Sequence, residues 1–314
     1  MILVVSLNPA LDITYRIDVV DWAGVNRPAE VHARPGGKGL NVARVLHALG
    51  ADVLLIALTG GNTGNEVQSA FSATGIPAVY AEIAADTRRT FSVVDAGRGD
   101  TAGFYETGPP ITASEYARFL EHYAAALHGC SAVLLTGTLP GGLPAGTYAQ
   151  LIRMAADVGV PSVLDTEAEA LWLGVAARPA IVKPNIAELE SAVGCPRLRT
   201  GDLDGVAEAA AQLRDRGAGA VVVTLGADGL LAVTADGTWV ATPNPEDGNP
   251  TGAGDAAAAA LVYGHVLGQS WPETLGQAAA LGAAAVAAPV AGEFRTADYQ
   301  RALATVTVSP WERG

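Results

Sequence analysis

From residue 112 onward, short apolar runs alternate with segments of helical period, and this alternation restricts the fold more than any other feature of the chain. The runs at 132–135, 162–164, 180–182 and 220–224 predict strands, and the segments at 148–158 and 206–216 predict helices. Thr112-Ala113-Ser114-Glu115 has the spacing of a capping box, which opens a further helix. A strand that is apolar at every position has to be covered on both faces. Helices connecting consecutive strands provide that cover, and they make the strands parallel. Residues 2–7 and 52–58 extend the pattern upstream, with a helix between them from beyond Gly39 to Gly50. The expectation is an α/β fold with a mostly parallel central sheet.

Two stretches break this pattern. Residues 11–19 alternate apolar and polar positions, with 30–34 as a partner. The segments 78–81, 91–95 and 103–106 do the same around the turn Gly97-Arg98-Gly99-Asp100. Period-two alternation suits a sheet with one wet face. Segments of about 11–35 and 77–107 are therefore expected to pair as a small lid sheet on a single domain covering 1–314. A hairpin is expected at Ala235-Asp236-Gly237, and two or three helices from Gly254 onward.

Composition narrows the function. The net charge of −13 argues against nucleic acid and anionic membranes as partners, since both require a basic face. The longest apolar stretch, 278–291, is mostly alanine, contains Pro289, and is too short to span a bilayer. The first residues lack the basic start of a secretory signal. Cys130 and Cys195 fit neither a disulfide framework nor a metal site, and His32, His47, His122, His128 and His265 have no zinc-like spacing. A cytoplasmic location is expected.

An acidic chain that binds anions needs local donors, so its basic residues carry information. Of 19 basic residues only Lys38 and Lys183 are lysines. Where arginine has displaced lysine almost everywhere, the survivors point to a need for a compact ammonium group. Both lie in turns before helices, in Pro35-Gly36-Gly37-Lys38-Gly39-Leu40-Asn41 and Val182-Lys183-Pro184-Asn185. Asn185 and Glu188 have capping-box spacing; the functional reading of the same pair is two oxygen ligands facing a hydrated magnesium. Thr251-Gly252-Ala253-Gly254-Asp255 leads directly into an Ala-rich helix. Its glycines permit a tight turn with several N–H groups facing one way, and the helix dipole makes the turn an anion pocket. Asp255 is then either a helix cap or a base that accepts a proton beside a phosphoryl group in transit.

Taken in order, these segments resemble the phosphofructokinase-B family of carbohydrate kinases. The resemblance covers nearly the whole chain, through Asn8-Pro9-Ala10-Leu11-Asp12, residues 36–41, Thr87-Arg88, Thr136-Gly137-Thr138-Leu139-Pro140, Leu164-Asp165-Thr166, residues 183–188, Thr224-Leu225-Gly226 and residues 251–255. It implies a ribokinase-like three-layer sandwich with a lid, which often meets a second lid across a dimer axis, and the use of ATP and Mg2+. By the same resemblance Asp255 is the base, and Gly252, Ala253 and Gly254 supply amides to the transferring phosphoryl group. Asp12, Gly37 and Asn41 hold sugar hydroxyls, with Thr138 on the same side. Lys38 and Arg88 bind a phosphate already on the sugar, although Arg89 follows at once and is an alternative. Lys183, Asn185, Glu188, Thr224, Gly226 and Thr251 line the nucleotide side, and Asn185 and Glu188 position magnesium through water.

The Asn-Pro-Ala-Leu-Asp and Gly-Gly-Lys-Gly-Leu-Asn segments are most similar to the 1-phosphofructokinase and tagatose-6-phosphate kinase branch. That implies a phosphohexose acceptor, with fructose 1-phosphate first and tagatose 6-phosphate or fructose 6-phosphate as alternatives. The chain departs from many relatives at Asn249-Pro250, where they carry Asp-Thr, and at Glu167-Ala168, where Ser-Gly is more usual. A reading of another class is a non-catalytic regulator that binds a sugar phosphate. The Gly-Ala-Gly turn with Asp255 speaks against it, because binding alone needs no base.

Overall fold

The computed structural model describes residues 1–195, 197–288 and 290–312, so Pro289 lies outside the described residues. Five strands and two helices come first: β1 (Ile2–Ser6), β2 (Ala10–Ile17), β3 (Glu30–Gly36), α1 (Lys38–Ala48), β4 (Val53–Gly60), α2 (Gly61–Ser72) and β5 (Ala78–Ile83). β6 (Arg88–Asp95), β7 (Asp100–Tyr105), α3 (Ala113–Leu127), β8 (Ala132–Thr136), α4 (Thr147–Asp157), β9 (Ser162–Asp165) and α5 (Ala168–Val175) follow. Next are β10 (Ile181–Val182), α6 (Ile186–Val193), α7 (Leu203–Arg216), β11 (Ala220–Thr224), β12 (Leu230–Thr234) and β13 (Gly237–Thr242). The chain closes with α8 (Ala253–Leu267), α9 (Trp271–Val286), α10 (Thr296–Thr305) and β14 (Thr307–Pro310).

Ten strands form the large sheet, in the order β14-β13-β12-β11-β10-β9-β8-β1-β4-β5. Pairing is parallel from β11 to β5, and the hairpin at Ala235-Asp236-Gly237 turns β12 and β13 antiparallel. The wholly apolar strands behave as their composition requires. In β1, Ile2 and Val4 enter one core with Leu40, Val45, Phe71 and Leu261, whereas Leu3 and Val5 enter the other with Phe119, Tyr148 and Leu171. Successive side chains thus fill opposite layers, which gives the α/β three-layer arrangement.

The second sheet has four strands in the order β3-β2-β6-β7. It contains most of the alternating segments but not β5, which pairs in parallel with β4 at the edge of the large sheet. The expectation that all of 77–107 belongs to the lid is corrected here for residues 78–83. In β5, Ala81 and Ile83 are buried in one core while Ala78 and Tyr80 are only partly buried against the other, so the edge strand alternates as a lid strand does. The capping box at Thr112 is present, with Glu115 accepting from the Thr112 N–H at 2.7 Å; its other oxygen accepts from the Ala84 N–H at 2.6 Å, tying α3 to the end of β5. Sequence patterning did not anticipate α5 or β14. No helix among the described residues is long and apolar enough to cross a membrane.

Candidate active site

The carboxyl ends of the parallel strands face one region, and chemistry-bearing residues gather there. Asp165 ends β9, Lys183 follows β10 directly, and Thr224 ends β11 beside Asn185, to which it is bridged. Opposite them α8 begins at Gly252, whose φ of 90° is a left-handed conformation that favours glycine; a Cβ there would come within 2.9 Å of the Ala291 side chain. Helix geometry leaves the first-turn amides of Gly254 and Asp255 without intrahelical acceptors, while the Ala253 N–H donates to the Pro250 carbonyl at 3.2 Å. A cavity of about 840 Å³ opens in front of this turn. Its lining includes Lys38, Lys183, Glu188, Thr224, Gly226 and Gly252 to Asp255, closed by Ala279, Gly282 and Ala283 of α9. Thr251 is exposed, donates its N–H to Asn249 Oδ1 at 3.0 Å, and is absent from the cavity lining.

The two lysines of the chain meet over one carboxylate. Asp165 Oδ1 lies 3.2 Å from Lys183 Nζ and 3.3 Å from Lys38 Nζ, and Thr136 Oγ1 donates to Oδ2 at 3.2 Å. Asp165 is 0% exposed. Burial opposes its charge, but Lys183 and Lys38 outweigh that cost and hold its carboxyl below the usual range. Burial likewise opposes the charge on Lys38, and Asp165, Glu188 and Asp255 outweigh it, keeping the ammonium protonated. Lys38 therefore stands in the cavity beside Glu188, at 3.5 Å. Lys38, Lys183 and Asp255 all line this cavity, and Arg88 is not among its lining residues.

Asp255 occupies the junction between the cavity and the small sheet. It is 7% exposed, and its Oδ2 accepts from Asn41 Nδ2 at 2.9 Å. Burial pushes its carboxyl up to about 6, offset by Lys38, reinforced by Asp165, and offset again by the Asn41 hydrogen bond and Lys183. A carboxylate with a pKa near neutrality is suited to take and release a proton. Its position in the first turn is that of neither an N-cap nor an exposed acid.

Beyond Asn41 lies a second set of charges. Asp12 accepts from Thr90 Oγ1 at 2.6 Å and faces Arg88, Arg34 and Arg44; burial still raises its carboxyl above the ordinary value. The pairing registers explain the convergence, since Asp12 on β2 is opposite Arg34 on β3 and Thr90 on β6. Gly36 passes so close that a Cβ would overlap the Asp12 carboxylate. Gly37 has φ 90° and starts α1. Arg88 donates from Nε to the Asn8 carbonyl and from a terminal nitrogen to the Glu106 carbonyl, both at 3.1 Å. Arg89 points outward to Glu106, at 3.7 Å. Thr138 Oγ1 accepts from Asn8 Nδ2 at 3.0 Å, which places it at the same end of the sheet.

Asn185 and Glu188 form the capping box that their spacing predicts, each side chain meeting the other's backbone N–H at 2.8 Å. This uses Asn185 Oδ1 and one Glu188 oxygen. The other, Glu188 Oε1, is turned to the cavity and Lys38. One protein carboxylate beside an anion pocket fits a magnesium ion whose other ligands are water and nucleotide phosphate.

Sequence reasoning quoted Asp165 as part of a motif without giving it a role, and it did not single out Arg34, Arg44 or Thr90. Asp165 had a usable signal, a carboxylate closing an apolar strand at the sheet's ligand-binding edge. The arginines had none, because only cross-strand register and the turn into α1 aim them at Asp12.

Residues 5–296 match the pfkB family carbohydrate kinase model. Phosphofructokinase-2 from Escherichia coli, solved in complex with fructose-6-phosphate, is similar at 28% identity and a TM-score of 0.87 over 96% of this chain and 98% of that one. A tetrameric inhibited form of that enzyme matches with the same identity and TM-score. A Thermotoga maritima protein described as a possible 1-phosphofructokinase shares the fold, with 23% identity, a TM-score of 0.89, and 99% and 100% of the two chains covered. The chain belongs to the pfkB family of carbohydrate kinases.

Proposed function

We propose that this carbohydrate kinase transfers the γ-phosphoryl group of ATP to a hydroxyl of a phosphohexose, with fructose 1-phosphate as first candidate and fructose 1,6-bisphosphate as product. The observation that carries the reading is Asp255, a buried carboxylate with its pKa raised to about 6, standing between a lysine-lined cavity and an arginine-rich pocket. Asp255 takes the proton of the acceptor hydroxyl as that oxygen bonds to phosphorus, and the bond to ADP breaks. The Gly252–Gly254 turn receives charge on the transferring group, with the amide of Gly254 as the main contributor, since that of Ala253 is engaged by Pro250. Lys38 and Lys183 neutralise phosphate oxygens from the cavity side, and Asp165 keeps both ammonium groups in place. Magnesium held beside Glu188 would supply further charge neutralisation on the nucleotide phosphates.

On the other side Asp12 holds sugar hydroxyls and Arg88 meets the phosphate already present. The small sheet acts as a lid that excludes water. Its surroundings expose Val19, Trp22, Val25, Val31, Phe104 and Tyr105, and we assign this apolar surface to contact with a second subunit. Fructose 6-phosphate is the second candidate acceptor, favoured by the similarity to the Escherichia coli enzyme solved with that sugar. ADP release measured over a panel of phosphorylated and free hexoses tests the proposal. Turnover confined to phosphohexoses is expected. Turnover with free hexoses alone would overturn the acceptor class, and phosphohexose binding without ADP release would favour a regulator.

A further inference from the structure

Asn41 joins Asp255 to a residue that none of this chemistry has used. Its Nδ2 donates to Asp255 Oδ2 at 2.9 Å, and its Oδ1 accepts from an Arg44 terminal nitrogen at 3.1 Å. Guanidinium has donors only, so Arg44 can face nothing but the oxygen end of that amide. This fixes the amide orientation. If the amide were reversed, its oxygen would confront a carboxylate oxygen of Asp255 and its NH2 group would confront the Arg44 guanidinium, which is unfavourable at both ends.

Arg44 is itself held on several sides. Its second terminal nitrogen donates to the Pro35 carbonyl at the entry to the Gly36-Gly37 turn, and its guanidinium lies 5.7 Å from the centre of the Phe71 ring. It also faces Asp12, the residue assigned to the sugar hydroxyls. Three bonded or packed contacts on a half-buried arginine leave it little freedom to swing into bulk water.

We infer that Arg44 is a positioning residue for phosphoryl transfer, which locks the Asn41 amide in the orientation that aims Asp255 and couples this base to the Asp12 side of the pocket. The inference rests on the reading of Asp255 as the base. The charged groups that face Asp255 from the neighbouring elements are Lys38 at the start of α1, Asp165 at the end of β9 and Lys183 after β10. Arg44 is not among these groups, so the Asn41 bond is the contact through which Arg44 acts on the base.

The test uses Arg44→Met, Arg44→Lys, Asn41→Ala and the double variant Arg44→Met/Asn41→Ala, assayed across pH with the best acceptor, with Asp255→Asn alongside. For Arg44→Met, kcat is expected to fall by about tenfold with the KM for ATP within about twofold, and the acid limb of the pH profile to move upward by about half a unit or more. Arg44→Lys retains a donor and should fall between this variant and wild type. The double variant should be no worse than Asn41→Ala, because Arg44 acts through that side chain. An unmoved acid limb in folded Arg44→Met, or losses that add in the double variant, would overturn the inference. If Arg44→Met does not fold, the acid limb of Arg44→Lys decides between the same two outcomes. An Asp255→Asn variant retaining wild-type turnover would instead remove the base assignment itself, so the two failures are distinguishable.

Discussion

The two sides of Asp255 arrange their charges differently. On the cavity side two lysines, Lys38 and Lys183, meet three carboxylates, Asp165, Glu188 and Asp255. On the small-sheet side three arginines, Arg34, Arg44 and Arg88, surround Asp12, with Glu293 at 3.4 Å from Arg34 and Glu106 beside Arg88 at the rim. The first set has an excess of negative charge, which a divalent cation arriving with nucleotide phosphate would balance. In the second, Asp12 alone is shared by all three arginines while Glu293 and Glu106 are about half exposed, which suits a ligand bringing its own anion. The residue types differ accordingly. Compact ammonium groups can crowd one buried carboxylate, whereas planar guanidinium groups are spaced around a pocket and held by backbone carbonyls such as those of Asn8 and Glu106. In this chain the split between lysine and arginine follows the split between the two halves of the site.

The largest effect should come from the residue both halves share. Asp255→Asn is expected to fold, to bind ATP, and to lose about 10²–10⁴-fold in kcat or more. It should also melt a few degrees higher, since the change removes a carboxylate whose charge is disfavoured by burial. Single-turnover kinetics and a thermal melt check both points, and retention of more than about a tenth of wild-type turnover would remove Asp255 from the chemistry.

Next in size is a contrast between one cation from each side. Arg88→Met is expected to raise the KM for phosphohexose by about 10–150-fold and to leave the KM for ATP unchanged, because a charge-assisted contact to phosphate contributes about 1.5–3 kcal/mol. Lys38→Met should reduce turnover with phosphorylated and free acceptors alike, as expected of a residue facing Asp165 and Glu188 in the cavity. Steady-state kinetics with both acceptor types would erase the distinction between the halves if the two variants behaved identically.

Activity and stability should respond to acid in opposite directions. As the pH falls below about 6, Asp255 protonates and kcat/KM should drop by about tenfold per unit. The folded carboxyl holds its proton more tightly than the unfolded one, so this group's contribution to stability grows as the pH falls through 6 towards its ordinary value. An acid limb that persists in Asp255→Asn would assign the titration to another group.

The smallest expected change sharpens the small-sheet side alone. Gly36→Ala places a methyl where the Asp12 carboxylate now lies, and Asp12 has to shift. The KM for sugar should rise by about three- to tenfold while ATP binding is unaffected. A proportional rise in both KM values would mean that the two sides do not act separately.

Much of this molecule was determined by sequence alone. The apolar runs specified strands buried on both faces, and the intervening helical segments specified a parallel sheet, because no other arrangement covers such strands. The order of motifs identified the family, and the scarcity of lysine marked Lys38 and Lys183 as special. Tertiary structure decided the rest. Alternation could not place residues 78–83, since an edge strand with one face only partly buried alternates as a lid strand does. Spacing could not tell that Lys38 joins Lys183 at Asp165, which lies 127 residues away from it in the chain. It could not indicate Arg44 either, whose meaning comes from a carbonyl, an amide and a ring brought around it by the turn into α1. Local pattern reports how a segment is covered; which side chains meet depends on sheet order and register, and those are set by the packing of the whole chain.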